Sequence, residues 1–255
     1  MHTKIQVYMS TANGTGRFAN WVFQCFAVSK IAEKHNLRIL KLFGYEKINQ
    51  LGIVLYNGGT KQHLKTVNLN NDNFFDILNA DKIDYNVDAV DYFQTKEISL
   101  MLYQSLRDQK QTIMDRNLFH YRYDKNNDIF IHVRLTDATN YNPGVKYYLN
   151  AIERIKMDED THIYIASDDL GHPIITKIRT LYKHRIVLPV NLDDIQTIQF
   201  GSTCKNLILS HGSYSALIGY LGFYAENVFY SSFDGLVSWH GDMFSIPGWI
   251  MVERT

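Results

Sequence analysis

A surplus of charge of either sign is missing from this sequence: lysine plus arginine and aspartate plus glutamate each total 26 over 255 residues. Without a basic field, nothing draws the chain onto nucleic acid or an anionic lipid surface, and nucleic-acid binding is disfavoured. Cysteine is scarce too. Cys25 and Cys204 are the two present, each in apolar surroundings, which argues against a disulfide framework and fits reduced thiols in a core. There are four prolines and no low-complexity tract or repeat, so nearly the whole chain is expected to fold. No apolar run reaches the length of a membrane span. Met1-His2-Thr3-Lys4 leads into a strand-like run instead of the apolar stretch of a secretion signal, so the expectation is a cytoplasmic protein.

What is present is an alternation of strand and helix patterns. Lys4 to Met9 reads as a strand, Phe18 to His35 as a helix with apolar residues at helical spacing, and Leu37 to Phe43 as a second strand. The region from 44 to 125 is weaker in pattern, with a short helix near Phe74 to Leu78 and another from Glu97 to Leu106. After the polar stretch Arg122 to Asp128 the alternation is clean again. Strands are expected at 129–134, 162–166, 185–188, 206–209 and 227–230, with helices at 146–157, 173–183, around Asp194 to Thr203, and from Ser213 to Tyr224. Repeated βα units imply an α/β fold with parallel, doubly wound sheets. The stretch 122–128 is the candidate hinge between two Rossmann-like lobes, 1–125 and 126–255.

Polar residues gather where these strands end, and in open α/β sheets ligands bind at the carboxyl edge. The run Ile129-Phe130-Ile131 passes directly into His132-Val133-Arg134-Leu135-Thr136-Asp137. Arg134 offers a fixed cation and a planar fork of donors that suits phosphate oxygens; pairing with Asp137 at the strand end is the plain alternative. The first strand leads into Gly14-Thr15-Gly16-Arg17-Phe18-Ala19-Asn20, a glycine turn opening a helix, where unpaired N–H groups favour an anion. Gly14-x-Gly16-x-x-Ala19 loosely fits a dinucleotide fingerprint, but the next strand ends Leu40-Lys41-Leu42-Phe43-Gly44 without the acidic residue that fingerprint needs, so a nicotinamide or flavin is discounted. Asn20 and Gln24 are amides one helical turn apart in an apolar segment, and each needs a partner.

Two further strand ends carry candidates. Ser167-Asp168-Asp169 follows Ile163 to Ala166, and its carboxylates suit either a base and ribose or the cap of the next helix. Ser210-His211-Gly212-Ser213-Tyr214-Ser215 opens an apolar helix, with small hydroxyl residues either meeting an anion or capping. No nucleophile elbow accompanies the serines, so hydrolase chemistry gets little support. Adjacent aspartates can hold a divalent cation, but no Asp-x-Asp closes a strand and a required metal is not expected.

Together these segments resemble the GDP-fucose-dependent fucosyltransferases, above all the α1,2-fucosyltransferase family. Gly16-Arg17-Phe18-Ala19-Asn20-Trp21-Val22-Phe23-Gln24 is similar to that family's glycine-rich helix start. His132-Val133-Arg134-Leu135-Thr136-Asp137 matches its His-x-Arg-x-x-Asp, and Ser167-Asp168-Asp169 and Ser210 to Ser215 match two later segments in the same order. The chain departs from the family pattern at Trp21, Leu135-Thr136 and Ala216-Leu217. The resemblance implies a GT-B arrangement of two lobes, an acceptor lobe at 1–125 and a GDP-binding lobe at 126–255. It implies inverting transfer of L-fucose from GDP-β-L-fucose to a glycan hydroxyl, most simply in α1,2 linkage and without a metal. By matched position, Arg134 holds the β-phosphate, and His132 with Asp168 or Asp169 reads guanine. Ser213, Tyr214 and Ser215 meet the phosphates, while Gly16, Arg17 and Asn20 close over the diphosphate or sugar. Asp137 is either the base or the residue that orients Arg134. A transferase of another nucleotide sugar, or a catalytically silent nucleotide- or glycan-binding protein, also fits these residues.

Overall fold

The computed structural model describes residues 10–14, 16–137, 139–187, 192–232 and 241–254. Two all-parallel sheets organise them. The first takes β1 (Ser10–Ala12), β2 (Ile39–Leu42), β3 (Thr66–Leu69) and β4 (Asn86–Ala89) in the order β2-β1-β4-β3. The second takes β5 (Ile129–Val133), β6 (Ile163–Ser167), β7 (Ile186–Val187), β8 (Asn206–Ile208), β9 (Asn227–Ser231) and β10 (Ile250–Val252) in the order β10-β9-β8-β5-β6-β7. Counted from its own first strand, the second sheet runs 3-2-1-4-5-6, the doubly wound dinucleotide-fold order, with its switch point between β5 and β8. The strand expected at Lys4 to Met9 lies outside the described residues, as does position 188.

The helices are α1 (Phe18–His35), α2 (Tyr45–Gln50), α3 (Phe74–Asn79), α4 (Lys96–Asp108), α5 (Lys110–Arg116), α6 (Val145–Glu153), α7 (Pro173–Leu181), α8 (Asp194–Gly201) and α9 (Ser213–Leu221). Helix α1 has the bounds its periodicity predicts. Lys34 and His35 in its last turn complement the helix dipole, and Asn36 ends it in the left-handed conformation (φ 56°), with its own N–H and that of Leu37 both bonded to Ala32 O. Helix α6 stops at Glu153 and α9 at Leu221, each short of its expected end.

Strand β5 is buried at every position, as the central strand of a parallel sheet covered on both faces should be. Its period of two sorts the side chains. Ile129, Ile131 and Val133 join the core beneath α6 and α7, while Phe130 belongs to the larger core, which runs without a break from α1 through α4 to α8 and α9. Helix α1 packs against β1 and β4 beside the first sheet and also against α9, so the two sheets share one apolar interior. Tyr147 and Tyr148, fully buried on α6, satisfy polar groups at the strand ends: Tyr147 Oη donates to the carbonyls of Leu209 (2.7 Å) and Phe229 (3.0 Å), and Tyr148 Oη accepts from Asn142 Nδ2 (3.1 Å).

The polar stretch 122–128 is pinned by Arg122. Arg122 Nη2 pairs with buried Asp128 at 2.7 Å, its Nε donates to Thr203 Oγ1 at 3.1 Å, and its guanidinium lies 4.4 Å over the Phe200 ring. Both cysteines are free and buried, and burial pushes each thiol up to about 12, leaving them inert core residues. No helix among the described residues is long and apolar enough to cross a membrane.

Candidate active site

At the carboxyl end of the second sheet, beside its switch point, lies a cavity of about 330 Å³, within the range that holds a small-molecule ligand. His132 and Arg134 reach it from the end of β5, Ser167 and Asp168 from β6, Ser213 and Tyr214 from the start of α9, and Arg17 and Asn20 from the start of α1. The doubly wound order explains the convergence: β5 and β8 leave their shared edge in opposite directions and open a crevice between their loops.

Arg134 is 12% exposed, held rather than free to sweep solvent. Its Nε and Nη2 donate to the two oxygens of Asp137 at 3.1 and 2.9 Å, a fork that fixes the guanidinium plane. Its backbone is fixed as well, the N–H donating to Ser210 Oγ (3.2 Å) and the carbonyl accepting from Asn142 Nδ2 (3.0 Å). Gly212 (φ 91°) makes room for the side chain, since a Cβ there would stand 2.5 Å from Arg134 Nη1. Arg17, just before α1, pairs with Asp137 Oδ2, the oxygen that Arg134 Nη2 also meets, at 3.1 Å and approaches Asp168 at 3.8 Å. The hydrogen bond from Arg134, and the charges of Arg134 and Arg17, hold the Asp137 carboxyl below the usual range. Arg134 thus pairs with Asp137, as the plain alternative has it, and also lines the cavity.

The two aspartates after β6 part company. Asp168 lines the cavity, its Oδ1 accepting from Leu135 N–H (2.8 Å) and its Oδ2 from Thr136 N–H (3.3 Å) and Oγ1 (2.6 Å). Burial alone would raise its pKa, but these donors outweigh it and the carboxyl titrates below its ordinary value. Asp169 does not line the cavity; its Oδ1 accepts from Gly171 N–H (3.0 Å), and the cap of α7 is the His172 ring, which accepts from Ile174 N–H (3.3 Å).

Of the serines opening α9, Ser213 lines the cavity and Ser215 does not. Ser215 is fully buried, its Oγ 2.5 Å from His132 Nδ1, so it fixes the imidazole that lines the cavity. The Tyr214 ring lies 5.0 Å from that imidazole at 39°, with its hydroxyl donating to Asp194 O (2.6 Å). Burial, reinforced by the Arg134 charge and only partly opposed by Asp168, lowers the His132 pKa to about 4. His211 is lowered to about 3 by burial and by the charges of Arg254 and Arg134.

Both imidazoles are thus neutral in the fold at neutral pH, against an ordinary value of 6.5. Their contribution is complete above about pH 6.5. As the pH falls, the unfolded chain takes up protons that the fold refuses, and stability drops until the folded groups protonate near 4 and 3. For His132 the difference corresponds to on the order of 3 kcal/mol. Melting temperature is expected to decline from pH 6.5 to pH 4, with a shallower slope in His132→Asn; an identical slope in that variant would contradict the assignment.

Asn20 Oδ1 accepts from Gln94 Nε2 (2.9 Å) and from Ser213 Oγ, which joins α1 to α9. Gly16 (φ 76°) does not line the cavity and instead lies against the amide nitrogen of Asn20, where a Cβ would come within 2.2 Å. Trp21 closes the same turn by donating from Nε1 to Gly16 O (3.0 Å) and packing edge-on against Phe43. Gln24 is buried and donates to Asp91 O (3.1 Å). Among the described residues no group of three or more His, Cys, Asp or Glu lies together as a metal site.

The cavity also takes in residues that sequence reasoning missed: Leu170, Leu192 and Thr197 with Ile165 and Ala166, an apolar side beside Tyr214. None carries a motif; the one available signal was position, since Leu170 follows Asp169 and Thr197 lies one turn into α8.

No protein-family model and no curated protein sequence matches the chain. Among solved structures, the chain is similar to the fucosyltransferase NodZ from Bradyrhizobium, with a TM-score of 0.53 and 9% identity over 87% of this chain and 95% of that one. It is likewise similar to NodZ α-1,6-fucosyltransferase co-crystallized with GDP (TM-score 0.52, 9% identity, 87% and 94% covered) and soaked with GDP-fucose (TM-score 0.51, 9% identity, 84% and 92% covered). At this identity the likeness establishes a shared α/β fold.

Proposed function

We propose that the chain is a fucosyltransferase of the GT-B kind, with residues 1–125 as the acceptor lobe and 126–255 as the lobe that binds GDP-fucose. The observation that carries this reading is the convergence of Arg17, Asn20, His132, Arg134, Asp168 and Ser213 on one cavity at the switch point of a 3-2-1-4-5-6 sheet. Two guanidiniums and the N-terminus of α9 suit a diphosphate, and the apolar side at Leu170, Leu192 and Tyr214 suits a flat base. The protein whose fold this chain shares was co-crystallized with GDP, in keeping with that choice.

In the reaction, the bond between the anomeric carbon and the β-phosphate oxygen breaks while an acceptor hydroxyl attacks the opposite face. The β-linked donor becomes an α-linked product, and the hydroxyl proton leaves to a base or to solvent. Charge grows on the departing diphosphate, where Arg134 and Arg17 stabilise it without a metal. Asp137, held by both arginines and shifted to lower pKa, is a poor proton acceptor at neutral pH, and we assign it to orienting Arg134. Asp168 retains an Oδ1 lone pair beyond the bonds that fix the Leu135-Thr136 turn, enough to accept one N–H from guanine.

Incubation with GDP-fucose and a panel of galactose-terminated glycans is expected to add one deoxyhexose by mass, sensitive to an α1,2-specific fucosidase. Turnover with UDP-sugars but not with GDP-fucose would overturn the donor assignment, and a product resistant to that fucosidase the linkage.

A further inference from the structure

Ser215, in the first turn of α9, is fully buried and does not line the cavity, yet it carries a hydroxyl. A helical hydroxyl commonly returns its proton to the carbonyl four residues back, as Thr180 does to Thr176 O (2.9 Å). Ser215 does not. Among the described residues its Oγ has a single partner, His132 Nδ1 at 2.5 Å. Alanine would fill the place with no hydroxyl to satisfy, so the bond to His132 is what the serine supplies.

That bond has a direction. A hydroxyl proton sealed from water has to be donated, and Nδ1 is the acceptor within reach; were Nδ1 protonated, the Ser215 O–H would be buried with nothing to meet. The hydrogen-bond network therefore assigns the lone pair to Nδ1 and, because the imidazole is neutral at neutral pH, its one proton to Nε2. Nε2 has no partner among the described residues, and it is not sealed in the interior as the unpaired Gln94 Oε1 and Gln199 Oε1 are. His132 is 8% exposed and lines the cavity, so the cavity is the opening left to Nε2.

We propose that Ser215 is a positioning residue that fixes the tautomer of His132, so that the imidazole meets the bound nucleotide as a donor, through Nε2–H, to a ring nitrogen or carbonyl oxygen of the base. With Asp168 accepting an N–H of the same base, the two side chains make one donor and one acceptor. The inference rests on the nucleotide reading above and adds to it the direction of one contact and the residue that sets it.

The first measurement needs no ligand: the ring nitrogen resonances of His132 in the full chain, identified by their loss in His132→Phe. Wild type is expected to show Nε2 protonated and Nδ1 bare, and Ser215→Ala to show the Nδ1-protonated form as well. Protonated Nδ1 in wild type, or one unchanged tautomer in Ser215→Ala, would overturn the proposal whatever the nucleotide does. Added GDP is expected to shift the Nε2–H signal and slow its exchange with water; a signal unmoved at saturating GDP would overturn the donor role. By calorimetry, Ser215→Ala is expected to weaken GDP about threefold to tenfold and His132→Phe about tenfold. The double variant is expected to be no weaker than His132→Phe, since the serine acts through the imidazole, and additive losses would reduce Ser215 to a packing role and overturn the proposal. A wild-type chain that binds no GDP would overturn the nucleotide reading and the donor role with it, a failure distinct from a wrong tautomer, which is read in the free protein.

Discussion

Replacement of Arg134 by alanine is expected to lower kcat/KM for fucosyl transfer by about 10²–10³-fold, about 2.7–4 kcal/mol of transition-state stabilisation, while the melting temperature changes little. The side chain is fixed at both ends: Ser210 and Asn142 hold its backbone, and Asp137 holds its fork. A cation arranged before the ligand arrives does not have to be reorganised as charge develops, which is why one such group carries a large share of the barrier. Alanine also leaves the Asp137 carboxylate, which lies near the cavity without lining it, with Arg17 as the cation beside it. The deficit in Arg134→Ala therefore includes repulsion from that carboxylate, and adding Asp137→Ala is expected to restore part of the loss. Arg134→Lys keeps the charge without the planar fork and is expected to fall between. Steady-state kinetics with GDP-fucose measure all three, and near-normal turnover by Arg134→Ala would remove the residue from the chemistry.

The second large effect is expected at Gly212, two residues beyond Ser210. Its backbone (φ 91°, ψ 164°) occupies a region essentially reserved for glycine, and a Cβ would meet Arg134 Nη1 at 2.5 Å. Because the obstructed atom is the far end of a flexible side chain, the guanidinium yields, and it yields away from the α9 turn. Gly212→Ala is expected to lose about 1–3 kcal/mol of stability and about 10–100-fold in transfer, the latter equivalent to about 1.4–2.7 kcal/mol. Gly144 supplies the control. Its backbone is nearly the same (φ 86°, ψ 162°), but an added Cβ would find nothing within 4 Å. Gly144→Ala is expected to lose stability similarly and keep its transfer rate. Equal losses of activity in the two variants would show that backbone strain, not displacement of Arg134, is responsible.

Strong periodicity made much of this fold legible. Helix α1 has 13 buried residues among its 18, and β5 is apolar up to His132, so pattern and burial coincide. Strands β3 and β4 were not visible because they are four residues long and carry Asn68, Asn86 and Asp88, types that strands usually avoid. Asn86 is tolerated because its side chain bonds the backbone of His63 and Lys65, a long-range compensation that no local pattern reveals. The short strand β10 escaped for a similar reason: it is three residues added at the sheet edge, with Met251 half exposed.

Strand-end position pointed to Arg134, with Asp137 as one partner for it, and to Asp168 and Ser213, but not to what the last two would bond; Arg134, Asp168 and Ser213 all line the cavity. Asp168 and Asp169 are chemically alike in sequence, yet one faces the cavity and the other caps a turn at Gly171. Ser213 and Ser215 are two apart, so on a helix they point in different directions, one toward Asn20 and the other toward His132. Gln94 lies in a stretch with no motif, and its bond to Asn20 depends on long-range packing of the segment between β4 and α4 against α1.

Titration of GDP, GMP, UDP and ADP into the wild-type chain and Arg134→Ala puts the central claim, a diphosphate seated on Arg134, to its most direct trial. Wild type is expected to bind GDP more tightly than GMP, UDP or ADP, and the preference for GDP over GMP is expected to vanish in Arg134→Ala, because that preference is the β-phosphate on the guanidinium. A wild-type chain indifferent to the β-phosphate, or an Arg134→Ala variant that keeps the full GDP preference, would contradict it.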